Sequence, residues 1–180
     1  FRTFSMADSV ICATPTLKSR FLDKYPEICE SKFEVITNGY DASDFSDSTA
    51  VEIKESNPAS TDKHKIEITY SGSLNDWRNL DNIISALKLL INAGKIDASK
   101  ISINLFGHIT TRDIKNIEVA GLTGIFNICD FKGHSDSVKE LLAADMLLLI
   151  IGALEGKEVL TGKLFEYLAA RKPVFAAIPN

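Results

Sequence analysis

The chain lacks a long hydrophobic run, a cysteine framework and an excess of charge of either sign, and each absence removes a class of function. No apolar stretch approaches the roughly 18–20 residues that a bilayer-spanning helix needs. The longest, Met146 to Ala153, has the length of a buried strand. Cys12, Cys29 and Cys129 are odd in number and show no C-x-x-C spacing, so neither a disulfide framework nor a zinc cage is expected. Free thiols in a reducing compartment are the simpler reading, and a cytoplasmic location follows as an expectation. A formal net charge of −4 offers no basic face for nucleic acid. A cleavable signal is also missing, since Phe1-Arg2-Thr3-Phe4 starts abruptly without an initiator Met. The end, Pro173 to Asn180, reads as a strand whose following elements are absent. A piece of a larger protein is expected.

What is present is ordinary globular material. With 180 residues, 45% of them apolar and 24% charged, the chain can bury a core as one soluble domain. Asp8 to Thr14 is a short β-rich run, and Thr14-Pro15 suits the cap and first position of a helix reaching about Tyr25. Phe33 to Ile36 suggests a strand closed by the turn Thr37-Asn38-Gly39. From Ala42 to His64 the sequence is rich in Ser, Asp, Thr and Lys without periodicity, which predicts a mobile surface connection.

Beyond it the pattern becomes regular. Strands are predicted over 65–70, 101–106, 125–131, 145–151 and 174–178. Helices are predicted over 80–91, 112–120, 137–143 and 161–171, the third of them opened by a Ser137/Glu140 capping box. Alternating β and α elements with uniformly apolar strands predict an α/β fold with a Rossmann-like parallel sheet covered by helices on both faces. Four of these strands lead into a glycine: Gly72, Gly107, Gly133 and Gly152. Ligands of open α/β sheets sit beyond the carboxyl ends of the strands, where glycine permits a close approach. Plain turn chemistry explains any one of them, and the set favours a pocket.

The segment from Glu158 to Val174 sharpens that expectation. Glu158 lies in a Gly-containing loop and Glu166 follows eight positions later, two turns into an apolar-faced helix. Backbone N–H groups and the positive dipole end at the helix start can cradle an anion. The second carboxylate can then take ribose or sugar hydroxyls, which makes a nucleotide-sugar pocket. Taken alone, Glu166 reads as a surface residue balancing Lys163 at i,i+3.

In order along the chain stand Ala7-Asp8-Ser-Val-Ile, Val35-Ile-Thr-Asn-Gly-Tyr-Asp41, Tyr70-Ser-Gly-Ser-Leu with Arg78-Asn-Leu, Phe131-Lys-Gly-His134, Ala144-Asp145-Met-Leu-Leu, and Lys163-Leu-Phe-Glu-Tyr-Leu-Ala-Ala-Arg-Lys-Pro-Val174. This series resembles the C-terminal, donor-binding half of retaining glycosyltransferases with the GT-B fold, of the glycosyl transferases group 1 type. The last segment completes an E-x7-E pattern. The resemblance divides the chain into the end of the acceptor-side half and linker (1–41), the connection (42–64) and a nucleotide-sugar-binding domain (65–180).

It also implies roles. Glu158 holds donor-sugar hydroxyls and Glu166 the ribose. The amides of Leu160 and Thr161, with the Thr161 hydroxyl, bind the diphosphate. Arg78 and Lys163 neutralise it, and Gly72 and Ser73 form the first glycine-rich turn. Gly133 and His134 flank the base. Ser73 departs from the pattern, standing where many relatives carry a second cation. The implied donor is a UDP- or GDP-linked sugar, with no metal and no other cofactor. The implied acceptor is a glycan or lipid held by the missing N-terminal half, with no nucleic acid partner. Peripheral contact with the inner face of a membrane is expected of the full-length protein. The competing readings are another GT-B-like nucleotide-sugar enzyme, such as an epimerase, and a non-catalytic nucleotide-binding relative.

Overall fold

A computed structural model describes residues 2–46, 65–152 and 160–178 and contains two parallel sheets. The smaller belongs to the first part of the chain: α1 (Arg2–Met6), β1 (Val10–Cys12), α2 (Pro15–Lys24) and β2 (Phe33–Val35), with β1 and β2 paired in parallel. Thr14 caps α2 as expected, its hydroxyl accepting from Leu17 N at 3.0 Å. Val10, Cys12, Ile28 and Phe33 form a core of their own, with Phe4, Phe21 and Tyr25 packed around it. The four-residue helix α3 (Ser43–Ser46) follows. The remainder of the predicted 42–64 connection lies outside the described residues.

The larger sheet holds β3 (Ile66–Ser71), β4 (Ile101–Phe106), β5 (Phe126–Cys129), β6 (Met146–Ile150) and β7 (Val174–Ala177), all parallel, in the order β5-β4-β3-β6-β7. Between them run α4 (Asp81–Asn92), α5 (Thr111–Ala120), α6 (His134–Ala143) and α7 (Gly162–Ala169). This is the predicted Rossmann-like α/β fold. β6 shows why its sequence is apolar at every position. Leu148 and Ile150 pack into the cluster beneath α4 and α5, while Leu147 and Leu149 pack into the cluster beneath α6 and α7.

Several element boundaries moved, and two of the shifts bear on the site. α6 starts at His134, one turn before the predicted Ser137, because Gly133 serves as its cap and accepts from Ser137 N at 2.9 Å. Ser137 and Glu140 therefore do not form a capping box; Glu140 pairs with the Lys132 side chain. β5 ends at Cys129, leaving Phe131 on the surface at 85% exposure. One face of β6 and β7 is lined by apolar side chains that join Ile83 and Leu87 of α4 in an open groove.

Candidate functional site

The strand order places β3, first of the five strands along the chain, beside β6, the fourth along the chain. The connections that leave these two strands go to opposite faces, so their ends part. The ladder shows the parting: β3 pairs with β4 from Ile66 to Ser71, but with β6 only at Ile68↔Met146 and Thr69↔Leu147. The strand ends part beyond those pairs, and this mouth lies at the topological switch point where ligands of such sheets bind.

Tyr167 of α7 joins the two strands there. This side chain is fully buried, and its hydroxyl accepts from Ser71 N at 3.2 Å and donates to the Leu148 carbonyl at 3.2 Å. The one oxygen thus spans the two strands where their own ladder stops. Burial pushes the Tyr167 hydroxyl well above the usual phenol range, so it remains a donor at any ordinary pH.

Lys163, one turn earlier on α7, lies over the mouth. Its Nζ sits 5.0 Å from the centroid of the Tyr70 ring and fills the space above Gly72, where a Cβ would fall 1.7 Å from it. Gly72 has φ 145 and Gly107 φ 116, conformations that side chains rarely adopt. A Cβ on Gly107 would also meet the Gly72 carbonyl oxygen at 2.4 Å. The two strand ends are therefore packed backbone to backbone. Gly152, two residues beyond β6, is equally close to the Trp77 carbonyl, at 2.6 Å from a built Cβ. Gly133 is less direct than the sequence suggested, four residues past β5 and at the head of α6.

Around this mouth the anticipated residues fall into three groups. Gly72, Lys163 and the Tyr70 ring form the first. Ser73 and Arg78 form the second: the Ser73 carbonyl accepts from the Tyr70 hydroxyl at 3.2 Å and from Arg78 Nη1 at 3.5 Å. Arg78 precedes α4 rather than starting it, its amide bonded to Asn75 Oδ1 at 2.8 Å. The third is His134 at the head of α6 with Glu166 of α7 and two carboxylates of the chain around α3. His134 Nε2 lies 2.7 Å from Asp44 Oδ2. The Asp44 hydrogen bond, with Glu166 and Asp41 nearby, holds the His134 imidazole above its usual range.

Leu160 and Thr161 lead into α7. Thr161 occupies the cap position without a side-chain cap bond, and its Oγ1 is buried and has no partner among the described residues. A buried hydroxyl left unpaired at a helix start has the chemistry to take a hydrogen bond from, or give one to, a ligand. Glu158 lies outside the described residues. Asp44 and Asn38 had not been singled out for their side chains. Asn38 Nδ2 donates to the Leu160 carbonyl at 2.7 Å across 122 positions of sequence, a link that no local pattern announces.

Comparison with solved structures was decisive for the fold. The chain superposes on HepE of Anabaena in complex with UDP-glucose (TM-score 0.64, 17% identity, 94% of this chain and 44% of that one). It superposes equally on a glycosyltransferase from Rickettsia africae (0.70, 19%, 94% and 44%). WaaG, a glycosyltransferase involved in lipopolysaccharide biosynthesis, matches at 0.69 with 19% identity over 92% and 43%. The chain has the fold of half a GT-B glycosyltransferase. It spans less than half the length of these three structures. No protein-family model and no curated protein matches the sequence. In this GT-B half, the mouth between β3 and β6 is the candidate site, and no described helix is long and apolar enough to cross a membrane.

Proposed function

We propose that this GT-B half binds the nucleoside-diphosphate sugar of a retaining glycosyltransferase, and that with its other half it transfers the sugar to a glycan or lipid acceptor. One observation carries the reading: a lysine lies over the switch-point mouth, beside a helix start whose buried hydroxyl has no partner among the described residues. Cation, helix-start amides and hydroxyl together form a site for a diphosphate. Glu166, three residues beyond Lys163 on the same helix, is assigned to the ribose hydroxyls of such a ligand.

As the nucleoside diphosphate departs, negative charge builds on its outer phosphate. Lys163, Arg78 and the α7 amides stabilise that charge, which is electrostatic catalysis without a requirement for a metal. Glu158 is assigned to the sugar hydroxyls from sequence alone. Gly133 and His134 are assigned to the base side. The donor is read as a UDP- or GDP-linked sugar. The full-length enzyme is taken to work in the cytoplasm, with peripheral contact at the membrane where the acceptor is a lipid.

A thermal-shift and calorimetric series with UDP, GDP and their sugar conjugates tests the reading on the full-length protein. A specific ligand at 100 times its dissociation constant stabilises the native state by about 2.7 kcal/mol. Stabilisation by none of these ligands would overturn it. Product formed from nucleotide sugar without any acceptor would point to an epimerase instead.

A further inference from the structure

The stretch from Asn38 to Ser46 does more than connect the two sheets. It is fastened at three points, each next to an element of the candidate site. Asn38 Nδ2 donates to the Leu160 carbonyl at 2.7 Å, just before α7. Phe45 packs into the cluster that holds Leu141 and Tyr167, and Tyr40 stands edge-on against it with ring centroids 5.7 Å apart. Asp44 pairs with His134 at the first position of α6, at 2.7 Å. Asp41 stiffens the stretch internally, its Oδ1 accepting from Ser43 N and Ser43 Oγ at 2.9 and 2.7 Å.

The Asn38 bond has a consequence beyond attachment. A trans peptide is planar, so the direction of one residue's C=O fixes the opposite direction of the next residue's N–H. Holding the Leu160 oxygen toward Asn38 therefore turns the Thr161 N–H to the opposite side. That amide is one of those assigned to the diphosphate. We propose that residues 38–46 act as a strap, in which Asn38 orients the Leu160–Thr161 peptide and Asp44 holds the head of α6, and that Asn38 and Asp44 are thereby positioning residues for nucleoside-diphosphate binding. The inference rests on the donor-site reading above.

The Asp44 contact also makes binding depend on pH. His134 faces Asp44 and Asp41 from the strap and Glu166 from α7; on its own helix Asp136 pairs with Lys139, and Glu140 with Lys132. Its pKa is raised, first by the Asp44 hydrogen bond. The imidazolium and its pairing are therefore fully present below the ordinary histidine pKa and are lost as pH rises through the raised one. Losing that positive charge leaves three carboxylates near an anionic ligand, and affinity falls.

The test uses the full-length protein with two readouts. Without ligand, Asn38→Ala raises hydrogen exchange at the hydrogen-bonded amides 164–166 of the first turn of α7 by about tenfold, while exchange in β3 and β4 stays as in wild type. With UDP or GDP, Asn38→Ala weakens binding about two- to tenfold, the range expected for one lost hydrogen bond. Asn38→Asp, which sets a carboxylate against a carbonyl, weakens it further. Asp44→Ala moves the midpoint of affinity against pH to lower pH, the ligand's own titration being common to both proteins. Unchanged exchange at 164–166 in Asn38→Ala overturns the strap whether or not the protein binds nucleotide. Wild-type binding with unaltered affinities and pH midpoint in the variants overturns it and leaves the donor site standing. Failure of the wild type to bind either UDP or GDP overturns both.

Discussion

Arg171 holds φ 54 one residue past the cap of α7, the position at which helices commonly end on glycine. A side chain in that left-handed conformation costs roughly 1–2 kcal/mol, from the crowding of Cβ against the following carbonyl. Arg171→Gly is therefore expected to raise stability by about 1 kcal/mol, since glycine recovers the strain and returns part of it as unfolded-state entropy. The check is a higher urea midpoint at unchanged slope. A lower midpoint would mean that the arginine side chain contributes more than its backbone costs. Sequence pattern indicated a helix end near Arg171, but not its strained backbone, because φ is decided by how the chain must turn from α7 into β7.

Tyr167 shows how one side chain can serve two elements. Its place on an apolar-faced helix predicted packing, and burial agrees with that. The hydroxyl's link between Ser71 and Leu148 could not be foreseen, because it depends on β3 and β6 parting at that height. Tyr167→Phe keeps the ring and strands two buried backbone groups. The expected cost is about 1–3 kcal/mol, visible as a lower thermal midpoint. Faster hydrogen exchange at Ser71 should accompany it. Exchange there at the wild-type rate would show that another group has taken over the bridge. α6 is the counter-example among the helices. A plausible Ser137/Glu140 motif lost to an earlier start, since Gly133 can cap by backbone alone and Glu140 is drawn to Lys132.

For the molecule as an enzyme, the donor-site reading makes the two glutamates behave differently. Glu166→Ala in the full-length protein should weaken free nucleoside diphosphate by roughly ten- to a hundredfold, as for a lost charge-assisted hydrogen bond of about 1.5–3 kcal/mol. Glu158→Ala should leave that affinity nearly unchanged and depress kcat, because its assigned contact is with the sugar in transfer. Calorimetry against UDP and GDP, followed by steady-state kinetics with a sugar acceptor, separates them. Wild-type behaviour of both variants would withdraw the paired-carboxylate assignment. The GT-B half expressed without its partner should transfer nothing, since transfer requires an acceptor held against the donor.

Periodicity and apolar composition determined the class of this protein. Ile101 to Phe106 and Met146 to Ile150 can be little other than buried strands, and their alternation with amphipathic helices leaves a parallel sheet as the economical arrangement. Local chemistry was equally legible where it acts between neighbours, as in the Thr14 cap and the glycine that follows β3. Strand order was not, because nothing in β6 itself says that it will pair with β3 rather than with β5. That order parts the ends of β3 and β6, lays Lys163 over Gly72 and brings Asn38 to Leu160. Such contacts join residues many tens of positions apart, and chain connectivity carries no record of them. They exist only because burying both faces of one sheet leaves a single place for α7, and because α7 brings the charges of the candidate site with it.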